Sequence, residues 1–190
     1  MTQQGKNAID LVLAESLIEL SRKKPIDKIT IKEITDKAGV IRPTFYNHFQ
    51  DKYELIEWII KSELLEPIKP LLNAGMIFEA IVLMLNNISA NSVFYKKATK
   101  VWRVQVTFNQ IAMKCVCEMF MNIISEKSTG KKSKYRWLTP EVISTYYAQS
   151  LCFITEGWIA QGMDDIEPKE MAEAYMYLIT RSMDDILSEL

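Results

Sequence analysis

The sequence predicts an all-α chain in two parts, a small N-terminal three-helix unit and a larger helical unit behind it. Three observations support this. Apolar residues recur every three to four positions, and no run alternates apolar and polar long enough for a strand. Glycine and proline number six each in 190 residues and fall at breaks. Two acceptor-x-x-Glu signals, Thr30/Glu33 and Asp51/Glu54, mark helix starts from which a side chain can cap free N–H groups.

In order, Asn7 is expected to cap a first helix with Ile9, Val12, Leu13, Leu17, Ile18 and Leu20 as its apolar stripe. "KKPIDK" (23–28) ends it, because proline disfavours helix at the residue before it. Thr30 opens a short second helix that Gly39 closes. A third short helix covers about 42–48, and Asp51 opens a fourth through "KYELIEWIIKSELL", with Leu55, Ile59 and Ile60 inward and "EPIKP" (66–70) as its end. Five further helices are predicted, roughly 76–88, 92–99, 102–126, 139–161 and 168–188, with a basic loop over 127–136. The predicted division is 1–62 and 63–190.

Two short helices joined by an Ala-Gly turn form a helix–turn–helix. Ile31, Ile34 and Ala38 make the inner face of the first, Val40 fills the angle, and Phe45 and Phe49 anchor the second. Rotation by about 100° per residue then centres Pro43, Thr44 and Asn47 on the outward face. Tyr46 and His48 flank that face, and Arg42 falls nearer the inward side. An outward face of this kind enters the major groove of DNA, so Thr44 and Asn47 are placed at base edges and Pro43 at a thymine methyl. Tyr46 and His48 fall where the phosphate walls would run. Thr30 and Lys52 begin the neighbouring helices, whose N-termini suit phosphate.

"TIKEITDKAGVIRPTFYNHFQDKYELI" resembles the DNA-binding domain of the TetR family of bacterial transcription regulators, over about residues 7–62. The resemblance implies groove contacts at Arg42, Pro43 and Thr44, and phosphate contacts at Thr30, Tyr46, His48 and Lys52. Ile41 stands where the family usually has a serine cap, with Pro43 in the first turn and Arg42 at the boundary. "NSVFYKKATKVW" and "FITEGWIAQGMD" look like the C-terminal domain of a subgroup of that family, the dihydroxyacetone kinase operon regulators. The family further implies a homodimer through the last two helices, for which Leu151, Ile154, Trp158, Tyr175, Leu178, Ile179, Met183 and Ile186 supply apolar surface. Packing within one chain would give the same pattern.

Other chemistries find little footing. His48 is the only histidine and has no Cys or carboxylate cluster at ligand spacing, so no metal or catalytic site is expected there. "STGKKS" (128–133) echoes a phosphate loop, but Ser125 stands where its first glycine belongs. Net charge is −1, with ten Lys/Arg against nine Asp/Glu in the first 62 residues, so DNA affinity must come from a local patch. Three irregularly spaced cysteines suit a reduced, cytoplasmic protein. No apolar stretch is long enough to span a membrane. Met and aromatic residues crowd the second part, where they make core and can also line an adaptable pocket.

The expectation is therefore a DNA-binding transcriptional regulator without cofactor or enzymatic activity. Its partners would be a palindromic double-stranded operator, a second copy of itself and an unknown small-molecule effector, with repression implied by the family. The alternative is an activator or co-regulator whose second domain binds a partner protein.

Overall fold

The computed structural model describes the backbone of residues 3–100, 107–127 and 134–189, with side chains from residue 8 onward. Every described element is helical. They are α1 (Gln3–Lys23), α2 (Ile31–Ala38), α3 (Arg42–Tyr46), α4 (Lys52–Ile59), α5 (Lys69–Asn73), α6 (Ile77–Ala90), α7 (Ser92–Ala98), α8 (Phe108–Lys127), α9 (Pro140–Ala160), α10 (Pro168–Thr180) and α11 (Met183–Glu189). No single described helix is long and apolar enough to cross a membrane.

In the N-terminal unit, Leu13, Ala14 and Leu17 of α1 are buried with Ile34 of α2, Phe45 of α3 and Leu55, Ile56 and Ile59 of α4. Thr30 caps α2 as its sequence predicts. Its hydroxyl accepts from Glu33 N–H at 3.3 Å, and Glu33 accepts from Thr30 N–H at 2.9 Å. Gly39 takes φ 68°, ψ 28°, the left-handed conformation that lets the chain turn from α2 into α3.

Several boundaries differ from the sequence expectation. α1 already runs from Gln3, so Asn7 lies inside it and does not cap it. α3 ends at Tyr46, two residues early, and both His48 N–H and Phe49 N–H donate to Phe45 O, turning the chain toward α4. α4 does not stop at Ile59 but widens into a π-helical stretch, Ile60–Leu65. Within "EPIKP", Pro70 starts α5 instead of only ending α4, because the first turn of a helix has no use for the N–H that proline lacks.

The helix expected over 168–188 breaks at Arg181 (φ −108°, ψ 151°). Ser182 and Asp185 form a capping box there: Asp185 N–H donates to the serine hydroxyl and Ser182 N–H to the carboxylate, each at 3.2 Å. α8 starts at Phe108, and the expected start at 102 lies outside the described residues, as does most of the basic loop 127–136. Thr107 and Gln110 make the corresponding box at that helix end.

α8 and α9 form the most extensive helix pair. They run antiparallel, since Asn109 bonds Glu156 while Cys117 meets Ser144 and Thr145. α6 packs on α10. The parts are joined where Lys97 of α7 donates to the carbonyls of Ser21 and Arg22, closing the C-terminal end of α1, and where α4 lies against α8.

Candidate nucleic-acid interface

Phe45 (0% exposed) and Phe49 (4%) hold α3 from behind, with Trp58 edge-on to Phe49 at 6.3 Å between ring centres. Arg42, Pro43, Tyr46 and Asn47 are exposed, and Thr44 is half-buried. Pro43 and Asn47 thus face outward as helical rotation places them and Thr44 does so only in part, while Arg42, expected nearer the inner side, is exposed as well. Arg42 is the first residue of a five-residue helix, where no preceding turn covers it. Ile41 gives the helix no side-chain cap and projects outward at 68% exposure, with Pro43 in the first turn. Tyr46 (57% exposed) stands edge-on to Phe45.

Two side chains expected at phosphates, those of His48 and Lys52, turn inward to partners within the chain. The His48 side chain is 2% exposed, and its Nδ1 lies 2.6 Å from Oδ1 of Asp10, itself a buried residue of α1. That ring ties α1 to the end of α3 and presents no surface to a DNA backbone. Lys52 Nζ donates to the carbonyls of Ile26, Asp27 and Ile29 at 2.8–2.9 Å. An ammonium has three protons. Lys52 therefore spends them on the loop that delivers Thr30 to α2.

Thr30 is exposed, but its hydroxyl and N–H both donate to Glu33. It offers a phosphate the positive end of α2 rather than a hydroxyl. Lys24 pairs with Glu33, and that bond, with those from Thr30, holds the Glu33 carboxyl down to about 2. A depressed carboxylate stabilises above its ordinary value and loses that contribution only as pH falls toward the folded value. The cap is therefore expected to survive mild acid.

Sequence reading missed Asp10. Its one signal was a lone carboxylate in the apolar stretch "AIDLVLA".

Residues 15–59 match the model for bacterial regulatory proteins of the tetR family, and residues 76–181 match a transcriptional regulator C-terminal region. The chain belongs to the TetR family. This TetR-family chain is 26% identical over 153 residues to the dhaKLM operon transcriptional activator DhaS of Lactococcus lactis, covering 80% of this chain and 79% of that one. It is 40% identical over 48 residues to the uncharacterised regulator YxbF of Bacillus subtilis, covering 25% of this chain and 13% of that one. Among solved structures, DhaS matches with a TM-score of 0.64 at 21% identity over 90% of this chain and 93% of that one. NalD, the secondary repressor of the MexAB-OprM multidrug efflux pump in Pseudomonas aeruginosa, matches at 0.59 and 12% over 92% and 96%. This TetR-family chain is a DNA-binding transcriptional regulator and not an enzyme.

Where α4 meets α8, four charges join the DNA-reading unit of this regulator to its larger part. Glu57 of α4 pairs with Lys61 at 2.8 Å and Lys114 of α8 at 2.9 Å, and Glu118 of α8 pairs with Lys61 at 2.9 Å and reaches Lys114 at 4.0 Å. Burial raises the Glu57 carboxyl, but the hydrogen bonds from the two lysines outweigh it and leave it below the usual carboxylate value. Burial lowers Lys61 in turn, and its two glutamates outweigh that and hold it above the usual lysine value. The stabilisation from a lowered acid is present above its unfolded value of 4.5, and that from a raised base below its unfolded value of 10.5. Glu57→Gln is expected to cost about 1 kcal/mol at neutral pH, given how exposed the lysines are. The difference from wild type should fade as pH falls below 4.5, as urea titrations across pH would show.

Proposed function

We propose that the protein is a homodimeric, operator-binding repressor released by a small-molecule effector. The observation that carries the DNA part is the exposed face of Arg42, Pro43, Tyr46 and Asn47 on a helix anchored by Phe45 and Phe49. Arg42, Pro43, Thr44 and Asn47 face base edges, while Tyr46 and the start of α2 at Thr30 face phosphates. His48 supports the end of the reading helix from inside, and Lys52 holds the loop that leads into α2. The division of labour follows residues 1–62 for DNA and 63–190 for sensing and pairing.

Two copies are needed because one reading helix contacts few bases. A two-fold dimer spans half-sites about 34 Å apart. On α9, Tyr146 (61% exposed) and Phe153 (75%) lie seven residues apart on one face. A Cβ at nearby Gly157 would meet nothing within 4 Å, leaving room for a second helix. Leu178 of α10 and Met183 of α11 are exposed as well. Leu151, Trp158 and Tyr175, read from sequence as interface candidates, are buried within the chain. Phe153→Asp is expected to shift the chain to monomer by sedimentation and to lower operator affinity at least tenfold, a loss of about 1.4 kcal/mol.

The likeness to DhaS, an activator, favours a second reading in which the chain activates transcription. A promoter fusion separates the two readings: deletion of the regulator raises expression under repression and lowers it under activation. Binding of the pure protein to an inverted repeat near its own gene should fall steeply with salt. Arg42→Ala should cost about 1–3 kcal/mol and relax preference at one base pair per half-site. A protein that ignores that DNA with and without effector would sink the proposal.

A further inference from the structure

A small cavity of about 60 Å³ lies between the π-helical stretch, α6, α8 and α9, and a larger one of about 330 Å³ lies between α5, α6, α8, α9 and α10. Met84 and Leu151 border both. Both side chains are buried, and an unbranched methionine is the side chain best able to swing aside for an adaptable fit. The walls are otherwise almost wholly apolar. Neither cavity has a lysine, arginine or histidine among its described lining residues.

The polar residues lining the smaller cavity include Thr99, Asn109, Thr155 and Glu156. Thr155 belongs to its wall, and the Thr155 hydroxyl is buried without a hydrogen-bond partner among the described residues. Glu156, the neighbouring residue, is exposed and accepts a hydrogen bond from Asn109 at 2.5 Å. Both of these residues also line the cavity. Glu156 brings the only charge in either described lining, and it is negative. A buried hydroxyl without a partner is costly, which asks for a ligand atom beside it.

We infer that the two cavities form one effector site for an amphiphilic amine, whose apolar tail runs past Met84 and whose ammonium head sits against Glu156, Asn109 and Thr155. This rests on the effector reading above and adds the ligand class. An anionic amphiphile would place its carboxylate against Glu156 with no cation to answer it. A neutral alcohol would satisfy Thr155 but not the glutamate.

The test compares three probes with one tail and three heads, namely dodecylamine, dodecanol and dodecanoate, below their micelle concentrations. Thermal shift of the full-length protein and calorimetry are the readouts. The expected order is amine, then alcohol, then carboxylate, with the amine at least tenfold tighter than the carboxylate. Glu156→Gln, at an exposed position, should erase most of that advantage without lowering the Tm of the free protein. Thr155→Val keeps the shape and removes the unpaired hydroxyl. It should raise the free protein's Tm and shrink the shift the amine produces, whereas a threonine with only a structural role would leave that shift alone.

Dodecanoate binding as well as the amine overturns the class. Binding of none of the three overturns the joined site, while the effector reading keeps its own test in operator release by other metabolites.

Discussion

His48→Phe is expected to destabilise the protein by about 3–5 kcal/mol, the range found when one partner of a buried pair is removed. Phenylalanine keeps an aromatic ring, somewhat larger than imidazole, but has no donor, so the buried Asp10 side chain loses its one described partner. For a chain of this length that corresponds to a fall in Tm of about 10 °C. Asp10→Asn should cost less, about 1–2 kcal/mol, because an amide can still accept from the ring and carries no charge to strand. In a double-mutant cycle the two changes should be strongly non-additive. DNA binding supplies the deciding readout. A histidine that touched phosphate would take about 0.9 from the salt slope when removed. The buried pair predicts an unchanged slope, with affinity falling only as the folded fraction falls. An unaltered Tm together with a shallower slope would return His48 to the DNA surface.

His48 also shows where sequence reading stops. The helix–turn–helix was legible because its signals are local: Thr30 and Glu33 three apart, Gly39 at the turn, Phe45 and Phe49 four apart. Each is a rule about residues within a few positions along the chain, and each appears in the structure. Asp10 lies 38 residues from His48, and Lys52 lies 23 or more from the carbonyls it binds. Helical rotation shows which way a side chain leaves its own helix, not what another helix brings to meet it. By rotation His48 sat on a flank, and the partner that claims a flank decides between solvent and core.

The break at Arg181 is a different case. Ser182 and Asp185 stand three apart, the same local spacing as Thr30 and Glu33, yet the sequence reading runs one helix across them. The Met and aromatic residues pointed to an adaptable pocket in the second part, but the place of the cavities was not legible, since a void depends on how several helices fail to fill the space between them.

Trp158 carries the second large effect. From sequence alone its indole suited an interface or a core equally well. In the structure it is 1% exposed, and its Nε1–H donates to Ile166 O at 2.9 Å, pinning the 161–167 loop against α9. That loop bends sharply, with Gly162 at φ 102° and Met163 at φ 62°, and Met163 N–H donates to Trp158 O at 3.2 Å. Trp158→Ala is therefore expected to cost about 3–5 kcal/mol through lost burial and a residual cavity. Trp158→Phe should cost about 1–2 kcal/mol, chiefly by leaving the Ile166 carbonyl unpaired. Core and interface differ in their dependence on concentration. An interface tryptophan would change the dimer dissociation constant and leave a monomer of normal stability. A core tryptophan lowers Tm by the same amount in the wild-type background and in the Phe153→Asp background, because the loss lies within one chain. Equal Tm losses in the two backgrounds would assign Trp158 to the fold and leave pairing to the exposed face around Phe153. A loss confined to the dimeric background would place Trp158 at the interface instead.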